Sequence, residues 1–137
     1  MHTPTRSMKV RFASALLLSS AVLAQEDLSR VAPPPKVDCP RDHLTSYTGE
    51  VAQYRRGVTK TGLSIRTDWG TVETVRIDHS GSQDGRAWFL IGGKTFEPSD
   101  WKRIEISVGQ VRAGVRATAW VCDDGRNPIV EWLTPRE

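Results

Sequence analysis

The chain has two cysteines among 137 residues, and several familiar signals are missing altogether. No G-x-S-x-G elbow is present, so the strand-turn-helix geometry that exposes a hydrolase serine has no sequence support. Asp123-Asp124-Gly125 lacks the alternating ligands and later glutamate of an EF-hand and reads as a hairpin turn. No cysteine directly follows the small-residue stretch near Ala24, so no lipid attachment point is visible. Beyond that stretch no apolar run is long enough to cross a bilayer. The chain after Ala24 also lacks a charge surplus. The formal net charge of +3 comes entirely from Arg6, Lys9 and Arg11, and every acidic residue lies beyond Ala24. Phosphate-driven binding draws its free energy from counterion release and needs an excess of Lys and Arg. Nucleic acid is therefore not an expected partner.

The first residues carry the strongest positive signal. A basic leader is followed by an apolar run from Phe12 to Leu23, broken only by Ser14, Ser19 and Ser20, and by small or compact residues before Gln25. Residues 1–24 are read as a secretory signal peptide, with no stable membrane span after cleavage. The expected location is the periplasm or the outside of the cell. Residues 25–38 are read as a solvated tether, since Pro33-Pro34-Pro35 favours extended geometry and cannot donate backbone hydrogen bonds. Residues 39–137 are expected to form one domain.

Within that domain the apolar period is two, and Gly-containing turns separate short runs. Strands are expected over Tyr47–Tyr54, Gly62–Thr67, Thr71–His79, Ala87–Ile91, Lys94–Phe96, Val115–Cys122 and Ile129–Leu133. Pro98 to Ile104 reads as one short helical turn, and Val115, Ala117, Ala119 and Val121 share one strand face. Three consecutive strands, a longer connection with a helical turn and a final hairpin resemble the OB-fold, a five-stranded Greek-key barrel. The order is also similar to that of small periplasmic OB-fold proteins of bacteria. The expected class is all-β: a five- to six-stranded OB-like barrel, with an SH3-like barrel or small sandwich as the alternative.

The resemblance bears on the cysteines. In such a barrel the first strand pairs with the fourth, so Cys39, just before strand one, falls near Cys122, at the end of strand four. An oxidising compartment favours a disulfide. The competing reading is zinc held by Cys39, His43, His79 and Cys122, of which only the first two are locally spaced. The disulfide is preferred, and neither metal nor cofactor is expected.

Asp42-His43 and Asp78-His79 do not make a catalytic pair, since neighbours on a strand point to opposite faces; both histidines are read as solvated loop residues. Trp88, Trp101 and Trp132 lie in apolar runs and are assigned to the core. The barrel resemblance implies ligand binding on strands two and three. There Arg66 and Arg76 face outward, with Arg55, Arg56 and Trp69 nearby, and guanidinium groups suit carboxylates, sulfates or phosphates. A solvated polar face is the competing reading. A second candidate surface comprises Arg116, Trp120, Asp123, Asp124 and Arg126. The preferred function is a non-catalytic binding module for a protein, peptide or anionic saccharide. The alternatives are an inhibitor or protective protein acting on a secreted hydrolase, with a loop plugging the active site, and a small hydrolase.

Overall fold

The computed structural model describes residues 32–81 and 84–134. The leader and the first part of the tether lie outside the described residues. The fold is mostly β. Strand β1 (Leu44–Arg56) is its spine. The first half of β1 pairs antiparallel with β8 (Arg116–Cys122), from Leu44 opposite Cys122 to Glu50 opposite Arg116. The second half pairs antiparallel with β2 (Lys60–Thr67), which pairs in turn with β3 (Val72–Asp78).

Strand β1 offers one edge to each neighbour, and its pairing with β2 begins at Gly49. A Cβ there would lie 1.9 Å from the Arg66 carbonyl oxygen, so only glycine lets the backbones approach this closely. A register shift between Val51 and Gln53 follows. The inserted residue reverses which side chains face the core. Val51 points inward opposite Ile65, whereas Gln53 and Arg55 point outward opposite Ser64 and Gly62.

Beyond β8 lies β9 (Ile129–Leu133), joined by the turn at Asp123–Pro128. The short strand β4 (Phe89–Ile91) pairs parallel with β9 and antiparallel with β5 (Lys94–Thr95). The sheet order is therefore β3-β2-β1-β8-β9-β4-β5. Its first five members follow the order expected from the sequence, and the expected short helical turn is present. The 3-10 turn Pro98–Asp100 runs into α1 (Trp101–Ile104). The sheet is open, however, and does not close as a barrel. Closure would require β3 to pair with β9, and β4 already occupies that edge of β9. A single side chain bridges toward the gap. The Asn127 amide donates to the Asp78 carbonyl at 2.6 Å and accepts from the Asp78 N–H at 2.9 Å. One side chain thus imitates the peptide group of a neighbouring strand.

Two further details depart from the sequence reading. Gly85–Trp88 forms a 3-10 turn, so only Phe89–Ile91 of the expected Ala87–Ile91 strand is extended. A separate hairpin, β6 (Glu105–Ser107) and β7 (Gln110–Val111), turns at Gly109, whose φ of 81° favours glycine.

The core lies on the inward face of the sheet. Leu63, Ile65, Val75 and Ile77 meet Phe89, Ile91, Val130 and Trp132, all buried. Trp132 makes edge-to-face contacts with Tyr54 and Phe89, with ring centroids 5.7 and 5.4 Å apart. Small residues make room for it: Ala117 is its partner on β8. Trp88 and Trp101 pack against the same core, as their apolar runs suggest. Cys39 and Cys122 form a disulfide, with Cα atoms 6.3 Å apart. Beside it the Asp123 N–H donates to the His43 carbonyl.

A basic groove on the outward face as candidate functional site

The outward face of β1, β2 and β3 carries a shallow groove of about 470 Å³. Register builds it. Arg55 on β1 and Arg76 on β3 are the two partners of Gly62 on β2. Adjacent strands lie about 4.8 Å apart, so the two arginines stand roughly 10 Å apart at the backbone. Gly62 leaves the space between them open: an added Cβ would meet only the Val75 carbonyl, at 3.9 Å. Ser64 and Thr74 are cross-strand partners that continue the groove, and their hydroxyls hydrogen-bond at 2.9 Å. Among the described residues, neither Arg55 nor Arg76 has a carboxylate within 4.0 Å. Arg66 stands further along the same face, opposite Glu50 and Val72. Arg66 and Arg76 are not direct cross-strand neighbours; the irregularity that sets the register lies in β1 rather than at Gly70.

The structure therefore brings Arg55, Arg66 and Arg76 to one face. Arg56 is not with them. The register shift in β1 turns it inward, where it donates to Glu105 at 2.8 Å and stacks 3.5 Å over the Trp101 ring. Glu105 is 5% exposed and also accepts the Gly109 N–H at 2.8 Å, so Arg56 neutralises a buried carboxylate. Burial, reinforced by Glu105, holds the nearby Tyr54 phenol well above its ordinary range.

Trp69 is 88% exposed at the tip of the β2–β3 turn. That turn is braced from below. The Thr67 and Thr71 hydroxyls bond at 2.7 Å, and Arg116 donates from one nitrogen to both Asp68 oxygens at 2.8 and 2.6 Å.

The charged side chains of the second candidate surface are paired within the protein. Arg116 belongs to the Asp68 pair. Arg126 donates to the Asp124 carboxylate and to the Asp38 carbonyl, which ties the end of the tether to the β8–β9 turn. The same Arg126 bonds hold the Asp124 carboxyl below the usual range. Trp120 lies on the outward side but is only 5% exposed. It lines a cavity of about 140 Å³ together with Val37, Trp88 and Ile129. The tether thus touches the domain at half-buried Val37, whose N–H also donates back to the Pro34 carbonyl, while Pro35, Lys36 and Asp38 stay exposed. Asp123 accepts from the exposed His43 ring at 2.7 Å.

His79, expected in solvent, is 1% exposed. Its Nε2 hydrogen-bonds with Thr61 Oγ1 at 2.9 Å, and its Nδ1 has no partner among the described residues. Ile77 and His79 share the inward parity of β3, so alternation carried one residue further would have placed it there. Beside it Asp78 is held below the usual carboxyl range, first by the Ser80 N–H and then by the Ser80 hydroxyl. Among the described residues, no group of three His, Cys, Asp or Glu side chains is placed to hold a metal ion.

No protein-family model, curated protein or solved structure gives a significant match to the chain.

Proposed function

We propose that this protein is an exported, non-catalytic binding module whose β1–β2–β3 face takes up an anionic ligand on a protein, a peptide or a saccharide. One observation carries the reading: Arg55 and Arg76 flank the bare backbone of Gly62 and neither has a carboxylate partner among the described residues. Two such guanidinium groups can close on one acidic group from opposite sides. The Cys39–Cys122 disulfide fits an oxidising compartment. Among the described residues no helix is long and apolar enough to cross a membrane.

The test is retention on an anionic matrix such as dextran sulfate at low salt. Exchanging both Arg55 and Arg76 for Ala should weaken binding at least about tenfold and leave stability nearly unchanged, because exposed strand charges contribute about half a kcal/mol or less. Gly62→Val should reproduce the loss by filling the groove. Unaltered binding by all of these variants would move the site elsewhere.

A second reading rests on Trp69. A rigidly braced turn presenting a bare indole suits insertion into the cleft of a secreted hydrolase. A stoichiometric complex with one hydrolase, lost in Trp69→Ala and kept when Arg55 and Arg76 are replaced, would favour it over the groove.

A further inference from the structure

The free edge of the sheet narrows the ligand class. In a strand, the residues whose side chains share a face also send their backbone N–H and C=O groups the same way. On β3 the direction is fixed at two points. The His79 N–H donates to Thr59 on the β2 side, whereas the Asp78 N–H and C=O turn away from β2 and bond with Asn127. Val72, Thr74 and Arg76 share the parity of Asp78, so their N–H and C=O groups project from the open edge. Among the described residues these groups have no other partner. The side chains of the same three residues are exposed on the outward face. Asn127 already occupies the Asp78 position and marks where a neighbouring strand would have to stop.

We propose that the edge Val72–Arg76 pairs antiparallel with an extended, acidic polypeptide segment, which joins the sheet as an added strand. The proposal rests on the reading of the groove as an anion site and specifies its ligand. Antiparallel pairing sets same-face residues opposite one another. The outward side chains of the added strand then stand beside Val72, Thr74 and Arg76, and only Arg76 of the groove arginines is their direct neighbour, since β3 and β2 separate Arg55 from the new strand. A carboxylate beside Arg76 meets an arginine with no carboxylate partner among the described residues, and one beside Val72 lies across β3 from Arg66, which has none either. The residues between them face the side of Val75 and are best apolar. A second copy of β3 is a poorer occupant. Two-fold pairing about Thr74 sets Arg76 against Val72, and pairing about Arg76 sets arginine against arginine; neither supplies an acid. An anionic saccharide could use the arginines but not the row of backbone groups. Strand addition uses both, with main-chain bonds giving affinity and alternate side chains giving specificity.

The test uses the full chain and an acetylated, amidated peptide of alternating Glu and Val, about seven residues long, so that it overhangs Val72–Arg76 slightly. In the proposed arrangement the Glu amides face β3 and the Val amides face solvent. N-methylating the Glu amides should therefore weaken binding at least about tenfold, while N-methylating the Val amides leaves it within about twofold, although both peptides keep the same charge. The backbone amides of Val72, Thr74 and Arg76 should become protected from hydrogen exchange. Val72→Pro removes one edge donor at the first residue of the strand, where proline is tolerated, and should weaken the peptide without touching the arginines. Should that variant fail to fold, the pair of methylated peptides still decides. Equal binding of both methylated peptides would overturn strand addition and leave the anion reading standing. So would binding of a heparin-derived oligosaccharide with none of the peptide. Failure of peptide and oligosaccharide alike would sink both.

Discussion

Breaking the Cys39–Cys122 bond should cost this domain much of its stability. The bond links residues 83 apart in sequence. For a closed loop of that length the chain-entropy relation gives about 4.5 kcal/mol at 25 °C, an upper figure because a reduced denatured chain keeps some structure. Domains of this size are stabilised by about 5–15 kcal/mol in total. The natural comparison is the oxidised protein against a variant with both cysteines changed to Ala, each unfolded in urea. With a slope near 1.5 kcal/mol per molar, the midpoint should fall by about 2–3 M. The damage should also be localised. Leu44 opposite Cys122 starts the β1–β8 ladder, and the Arg126 bond to Asp38 lies just before the bridge. Hydrogen exchange should therefore quicken first around residues 36–46. A midpoint shift below about 0.5 M would refute the reasoning, since the closed loop would then contribute little beyond what the ladder already supplies.

Three further outcomes follow from the packing. Arg56→Ala should cost about 3–5 kcal/mol, because it leaves Glu105 buried and unpaired, and Glu105→Gln in the same chain should recover part of that loss in a double-mutant cycle. Trp69→Ala should move the urea midpoint by no more than the equivalent of about 0.5 kcal/mol, as befits an exposed side chain; a larger loss would mean that the indole packs somewhere. At Asp84, partial burial pushes the carboxyl up, but hydrogen bonds from the Arg86 amide and guanidinium outweigh it and hold the group below its ordinary value. A carboxyl depressed in the fold stabilises above its unfolded pKa and loses that contribution as pH falls through the folded value. The pH profile of Asp84→Asn below about pH 4 should accordingly be flatter than that of the parent chain.

The long strands of the seven-stranded sheet were legible because Leu63 and Ile65, Val75 and Ile77, and Ala117 and Ala119 alternate with other residues. So were the Asp68–Gly70 and Asp123–Pro128 turns and the proximity of the two cysteines. What could not be read is where alternation breaks. Continued from Val51, a period of two would turn Arg55 toward the core; one inserted residue sends it outward and Arg56 inward, and no local residue type announces the shift. Closure failed for a related reason. The Phe89–Ile91 run is as apolar as a central strand, but its pairing with the far edge of β9 is a long-range choice that periodicity does not encode. Trp120 has the parity of an exposed residue and is covered by Val37 and Trp88, which are remote in sequence. The β6–β7 hairpin was missed because Ile106 and Val108 are exposed, so its alternation does not mark a buried face.

The position of β1 sets when this protein can fold at all. Its first half finds its partner only in Arg116–Cys122, near the far end of the chain. A chain that emerges N-terminus first, from a ribosome or through a translocation pore, can form the β1–β2–β3 meander early. That meander has one apolar face, and the β8–β9 half of the core arrives last. During that interval Leu63, Ile65, Val75 and Ile77 are uncovered, and both edges of a three-stranded sheet stand open to other chains. Release, pairing with β8 and sulfur oxidation then fall at the same late moment. A truncation ending before Arg116 should therefore behave as an aggregating fragment rather than as a smaller domain.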